Sequence, residues 1–491
     1  MLNCTGPGGT ADSTVVVDVT SSEPSATFPL EISSDQRDLI DSYGQPFLIN
    51  GDTPWSLMVA LTDSEVIQYL DDRHARGFNT ILANLIEHRF APDPPRNVYG
   101  VAPFTASEDI RTPNDAYFDR CVGIVQQALD RDMLVMMTPA YLGIAGGGEG
   151  WWQALSARTT SEVQAYGAYV GAKFAAFPNL VWVMGGDYFA QGVLSRTRAL
   201  VTGLKSTGRP DWLFTYHAGP NFSSSQVVGN ESWLDLNATY AYEDPGLVAQ
   251  FEQDYGRTPT RPFFLLESRY EHEPDPPVSR LTLRSQAYWA VLTGGMGALF
   301  GNNPIWKFEN NGPYGSWESN LSSNGSQDRT RFRDLFSTYD WSSLVPDRSH
   351  TVLTGGQGSG SDTAYAAKSN DSTLVIIYTP SQRALTVNLD ALSGSNATAW
   401  WFNPRDGSVD VETALTSTGS QSFIPPTNDD WVLVIADAAA NLPPPGTGIV
   451  LPIRDFKCGA SAQGEGFATL WLLAGLAAWV LFERRRIRRT V

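Results

Sequence analysis

Two carboxylates stand at the ends of apolar runs. Asp187 follows Leu180 to Met184 and a glycine pair in NLVWVMGGDY (179–188), and Glu267 closes the apolar part of RPFFLLESRYE (261–271). A carboxyl group at a strand end is held in a fixed place, and glycines before it let a sugar or another backbone come close. Set across a pocket from each other, a protonated and an ionised carboxyl can break a glycosidic bond. One protonates the leaving oxygen, and the other attacks the anomeric carbon or activates water. The plainer alternative is a salt bridge from Asp187 to Arg269 or Arg284.

Something must hold these two residues face to face. Eight apolar runs recur along the chain, at 46–55, 78–87, 133–143, 179–188, 212–219, 233–240, 261–271 and 296–306. Helix-like stretches separate them. In TDSEVIQYLDDRHARG, Thr62 and Glu65 have capping-box spacing and Gly77 ends the helix. Eight strand–helix units predict an α/β fold, a (β/α)8 TIM barrel over 29–345. A doubly wound sheet is the competitor, but no Gly-rich phosphate loop follows the first run. LEISSDQRDLIDSYGQ, before the first run, reads as a hairpin capping the barrel bottom.

After about residue 345, short runs such as STLVIIYTP, TAWWFNPRDG and DWVLVIAD predict a small antiparallel β-sandwich, 346–438. Residues 1–28 read as a flexible segment and 439–466 as a Pro/Gly-rich linker.

In a barrel, function sits at the C-terminal ends of the strands. Polar and aromatic residues gather there, and Asp52, Trp55, Asn84, Tyr141, His217, Tyr240, Arg269 and Trp306 are the candidates for holding a sugar. Each alone could be a cap or a satisfied core group; together they would line one mouth. Trp151 and Trp152 either stack on sugar or pack the rim.

Other chemistries lack their residues. There is no Gly-x-Ser-x-Gly elbow, no His-Glu-x-x-His, and only five histidines. Asp52, Glu87 and Asp187 could offer oxygen to a divalent ion, but nothing fixes such a set, so no metal and no cofactor is expected. A net charge of −18 disfavours nucleic acid. The 11% aromatic content supplies core and also fits ring stacking on sugars. Cys4, Cys121 and Cys458 form no disulfide framework.

FLINGDTPWSLMVALTDSEVIQYLDDRHARGFNTI, VWVMGGDY, FFLLESRYE and RSQAYWAVLTGGMGALFGNNPIW resemble the core of glycoside hydrolase family 140, the apiosidase-like group, over about residues 30–345. The segment IIYTPSQRALTVNLDAL to DWVLVI resembles the collagen-binding-type β-sandwich found behind that core; no residue in it argues for collagen. The resemblance implies a retaining glycosidase with Asp187 as acid/base and Glu267 as nucleophile. It further implies a polysaccharide or oligosaccharide substrate, with apiose-containing pectin side chains as one class. The rival from another class is a non-catalytic carbohydrate- or matrix-binding surface protein. An inverting hydrolase is a third reading.

The two ends resemble sorting signals. Phe467 to Phe482 is an uncharged, mostly apolar run followed by Arg484, Arg485, Arg486, Arg488 and Arg489. That pattern predicts a hydrophobic helix with its arginines in the cytoplasm. Cys458, a small-residue spacer, the helix and the arginines resemble a bacterial C-terminal sorting tag of the Myxo type. Display outside the cell, anchored or released after processing, is the expected localisation. Leu2-Asn3-Cys4 with its Gly/Ser/Thr-rich sequel resembles the tail of a lipoprotein signal, which would put the true start upstream.

Overall fold

Strands buried on both faces tend to be apolar at consecutive positions, as Leu180–Met184 and Phe263–Leu266 are. In the structure, a computed structural model, the eight runs form eight parallel strands: β1 (Ile49–Asp52), β2 (Thr80–Asn84), β3 (Leu134–Thr138), β4 (Leu180–Gly185), β5 (Leu213–His217), β6 (Asn237–Tyr240), β7 (Phe263–Glu267) and β8 (Gly297–Phe300). The structure describes residues 28–447 except 190–191, 243, 274–276 and 412–413, together with the backbone of a hairpin, Leu2–Gly6 and Gly9–Ser13. The predicted tail helix and Cys458 lie outside the described residues. Among those described, no helix is long and apolar enough to cross a membrane.

The strand order is β6-β7-β8-β1-β2-β3-β4-β5, a barrel-like sheet open at one seam. There Asp235 and Leu236 donate to the Phe214 carbonyl at 2.9 and 3.1 Å, which nearly closes the ring. A two-residue strand, Phe222–Ser223, adds antiparallel to β6.

Each strand is followed by a helix: α1 (Asp63–Ala75), α2 (Asp115–Leu129), α3 (Thr160–Phe174), α4 (Leu194–Thr207), α5 (Ser224–Val228), α6 (Asp244–Tyr255), α7 (Arg280–Leu292) and α8 (Asn324–Ser337). Thr62 and Glu65 form the expected capping box of α1, and Thr159 and Glu162 form another on α3. Alternation divides the strands between two cores. Leu82, Met136, Val181 and Val183 join the cluster that fills the barrel. Ile81, Ala83, Val135, Met137, Trp182 and Met184 pack outward, with Tyr69, Val125, Val163 and Leu204 of the helices. The predicted hairpin is present, Glu31–Ile32 against Leu39–Ile40, and Leu30 and Leu39 pack in the barrel cluster.

The C-terminal part is a β-sandwich of a seven-stranded and a three-stranded sheet. Its central strand Leu374–Thr379 is buried on both faces. Val375 and Ile377 fill the sandwich, while Leu374, Ile376 and Tyr378 join the barrel's cluster. Tyr378 stacks on Tyr288 of α7 at 4.9 Å and 3°. Arg284 of α7 reaches Asp430 of the sandwich at 2.7 Å and Asp328 of α8 at 3.0 Å.

All three charges of that cluster are buried. Breaking a buried pair leaves a charge uncompensated and costs about 3–5 kcal/mol, less where Arg280 and Arg405 partly compensate, as they do here. Arg284→Met is therefore expected to lower the urea midpoint strongly, in one transition shared by barrel and sandwich. Two separate transitions would show that the parts fold independently.

Candidate active site

The turn after β4 explains the glycine pair. Gly185, Gly186 and Asp187 all have positive φ, at 84°, 118° and 49°. A side chain at 186 would put its Cβ 2.3 Å from the Tyr141 ring, and one at 185 would meet the His217 carbonyl at 2.6 Å. The Gly186 amide donates to that carbonyl, and the Gly185 carbonyl accepts from the Leu142 amide. The glycines thus let the chain turn between the ends of β3 and β5 and deliver Asp187 into the mouth. The close approach is to neighbouring protein. Gly186→Ala is expected to displace Tyr141, to destabilise by about 1–3 kcal/mol, and to lower turnover. Thermal unfolding and rate measurements on one preparation check both effects.

Asp187 and Glu267 do face each other. A carboxylate oxygen of each and a ring nitrogen of His217 all lie within 4.8 Å of one another. Register supplies the convergence: Gly185 pairs with His217, and an irregularity at Thr239/Tyr240 sets Tyr240 level with Glu267. Tyr141 Oη donates to Asp187 Oδ2 at 2.7 Å. His217 Nε2 lies 2.7 Å from Glu267 Oε2, an ion-pair contact without good hydrogen-bond alignment. Tyr270 Oη donates to Glu267 Oε1 at 2.7 Å and accepts from Trp55 Nε1 at 2.7 Å. The His217 ring lies between Trp55, stacked at 5.6 Å, and Tyr240 at 5.1 Å.

Burial governs the electrostatics of Asp187. It pushes Asp187 up to about 6; His217 pulls against this, the Glu267 charge adds to it, and the Tyr141 hydroxyl opposes it by hydrogen bonding. Burial disfavours the charged form of His217, yet the contact with Glu267 and the nearby Asp187 charge outweigh it, so its pKa is raised. Asp187 Oδ1 and Glu267 Oε2 are buried and lack an aligned hydrogen-bond partner. Buried atoms of that kind are rare and point to a ligand. The same donors suit a divalent ion, the one such grouping among the described residues.

The remaining candidates divide. Asn84, at the end of β2, accepts from Thr138 Oγ1 at 2.5 Å. Trp306 is half-buried on the rim, its Nε1 donating to Asn303 Oδ1 and its ring meeting Phe90 at 5.0 Å. Asp52 is directed elsewhere: its oxygens take Thr53 N, Tyr69 Oη and Arg73 Nη1, and it is completely buried toward α1. Arg269 pairs with Glu273 at 2.8 Å and lies over the Tyr242 ring. With Arg269 so engaged and Arg284 paired with Asp430 and Asp328, the groups against Asp187 are Tyr141, His217 and Glu267, in place of the salt bridge that was the plainer alternative. Trp151 is fully buried against His88 and Phe104, and Trp152 meets Tyr188 at the rim. Cys121 is buried and its thiol is pushed up to about 12, as a packing residue should be. Tyr270 stands three positions after Glu267 at the end of the same run, and although it is not among the sugar-holding candidates its hydroxyl meets the Glu267 carboxylate. A surface hollow of about 610 Å3 by Arg198, Lys205 and Trp233 lies beside α4 and brings together no such carboxyl pair.

A model of the family described as "Apiosidase-like, catalytic domain" matches residues 33–343, which takes in the whole barrel and every group above. The chain belongs to the apiosidase-like family. A second model, "Putative collagen-binding domain of a collagenase", matches residues 345–436, the sandwich of this apiosidase-like protein. The solved structure of a family 5 glycoside hydrolase from Bacteroides vulgatus is 23% identical, with a TM-score of 0.75 over 86% of this chain and 96% of that one. A second solved glycoside hydrolase is 23% identical, with a TM-score of 0.74 over 84% and 97%. The likeness is one of fold, and it carries the sandwich as well as the barrel. No curated protein sequence matches the chain. The catalytic domain is glycoside-hydrolase-like.

Proposed function

We propose that the protein is a retaining glycosidase that removes a sugar from a glycan, with apiose-containing pectin side chains as the first class to test. The observation that carries this is the pair of carboxyls facing each other in the mouth, one of them pushed up by burial. Asp187 is raised to about 6 and holds its proton in mildly acid solution, while Glu267 sits against His217. In the first step Asp187 gives its proton to the leaving oxygen. Tyr141 holds Oδ2, which leaves Oδ1 for the transfer. Glu267 attacks the anomeric carbon, and the bond to the leaving oxygen breaks as the glycosyl–enzyme ester forms. In the second step Asp187 takes a proton from water, which hydrolyses the ester. Tyr270 and His217 orient the nucleophile throughout. Carboxyl groups about 5–5.5 Å apart favour this double displacement, whereas inversion needs about 6.5–9.5 Å. An oxygen of each carboxyl lies within 4.8 Å of one on the other, close enough for both to act on one anomeric carbon.

The test is sugar release from rhamnogalacturonan-II fragments and a wider glycan panel, comparing the native chain with Glu267→Gln and Asp187→Asn. Release that both variants lose supports the reading. Binding that Glu267→Gln leaves unchanged, with no release by the native chain from any glycan, supports the non-catalytic rival. Zn2+ added to the native enzyme is expected to inhibit by tying up both carboxyls, and EDTA is expected to reverse it. Activity that EDTA abolishes and Zn2+ restores would instead make the ion a cofactor. The resemblance of the Cys458 tail to a sorting tag supports display at a bacterial surface, where polymeric glycans are met.

A further inference from the structure

Beside the acid, the mouth carries exposed aromatic surface. Phe189 is 42% exposed and Phe222 39% exposed, and their rings meet edge to face at 4.9 Å. Both are held in place. The Phe189 ring lies over Gly219, where a Cβ would come within 2.6 Å of it, and the Tyr188 carbonyl before it accepts from Tyr216 Oη at 2.9 Å. Phe222 stands in the short strand opposite Tyr240. Tyr242 continues the arc, its amide bonded to Asn221 and its ring 6.0 Å from Tyr240. Large apolar side chains left in water at a fixed place beside a site suit a flat partner better than they suit the fold.

The position selects the partner. Asp187 must reach the leaving oxygen, so the sugar on the leaving-group side begins at Asp187. Phe189 is two residues further on, at most about 7 Å along the chain. We propose that Phe189 and Phe222 form a stacking platform for the sugars on the leaving-group side, so that the substrate is a sugar carried on a glycan chain and not a small free glycoside. The platform rests on the glycosidase reading for its direction, but it can be tested apart from turnover.

The experiment is affinity electrophoresis of Glu267→Gln in gels containing rhamnogalacturonan-II, arabinogalactan, xylan or galactomannan. Retardation by at least one polysaccharide is expected. Adding Phe189→Ala and Phe222→Ala is expected to weaken it about tenfold or more. Phe189→Tyr, which keeps a ring, and Tyr43→Ala, in the hairpin before β1, are expected to preserve it. No retardation in any gel, or retardation indifferent to both phenylalanines, overturns the platform. Sugar release by the native chain that survives both alanine changes undamaged would sink the platform and leave the hydrolase standing. Phe-dependent binding without any release would do the reverse.

Discussion

Glu267→Gln is expected to lower turnover by about 10⁴-fold or more, while the protein stays folded and still binds its glycan. The amide cannot form a glycosyl ester, so the double displacement has no first step. The fold tolerates the change because Gln is isosteric and its amide oxygen can still accept from Tyr270. His217 loses its ionic partner but can shed its own proton, which limits the cost. Rates and binding measured on the same preparation check this. A variant that keeps even a tenth of native turnover would remove Glu267 from the nucleophile's place.

Asp187→Asn is expected to have opposite effects on rate and stability. The rate should fall about 10²–10⁴-fold, most for substrates with poor leaving groups. The native pH profile should have an alkaline limb near the pKa of Asp187, about 6, because the general acid is lost above it. That limb should be absent from the variant. The sign for stability follows from the same shift. A carboxyl raised from 3.8 to about 6 holds its proton more firmly folded than unfolded. Stability therefore falls as pH rises from about 4 to 6, and the loss is complete above that range. Removing the ionisable group should stabilise the protein at pH 7, on the order of 1–3 kcal/mol. Asn also accepts the positive φ at this position. A higher Tm with a lower rate is the expected pair of results. A lower Tm would mean that the buried charge is compensated more fully than this account holds.

Much of this was legible in the sequence, for reasons that particular residues show. The barrel was readable because β2 to β4 are apolar on both faces, a pattern that few folds require. The mouth was readable because strand ends are fixed points, so Trp55, Tyr141, Asp187, His217, Tyr240 and Glu267 converge once the strands pair. The face of a strand end was not readable. Asp52 stands one residue before Thr53 and serves a buried arginine on α1, and nothing local announces that Arg73 is completely buried. Arg269 finds Glu273 because the chain turns back after β7, and that turn is set by tertiary packing. Tyr270 needed the same turn to bring its hydroxyl onto Glu267. The closeness of the sandwich was also hidden. The unbroken apolar run in STLVIIYTP shows a strand buried on both faces, but not that its second face packs on α7.

The central claim is that two carboxyls work by double displacement, and the configuration of the sugar first released tests it most directly. Proton NMR during the first minutes of digestion of rhamnogalacturonan-II fragments reads that anomer before it mutarotates. The account predicts the same anomeric configuration in the released sugar as in the glycoside. Release of the opposite anomer would mean that water attacks the sugar directly, and Glu267 would then be a general base and not a nucleophile.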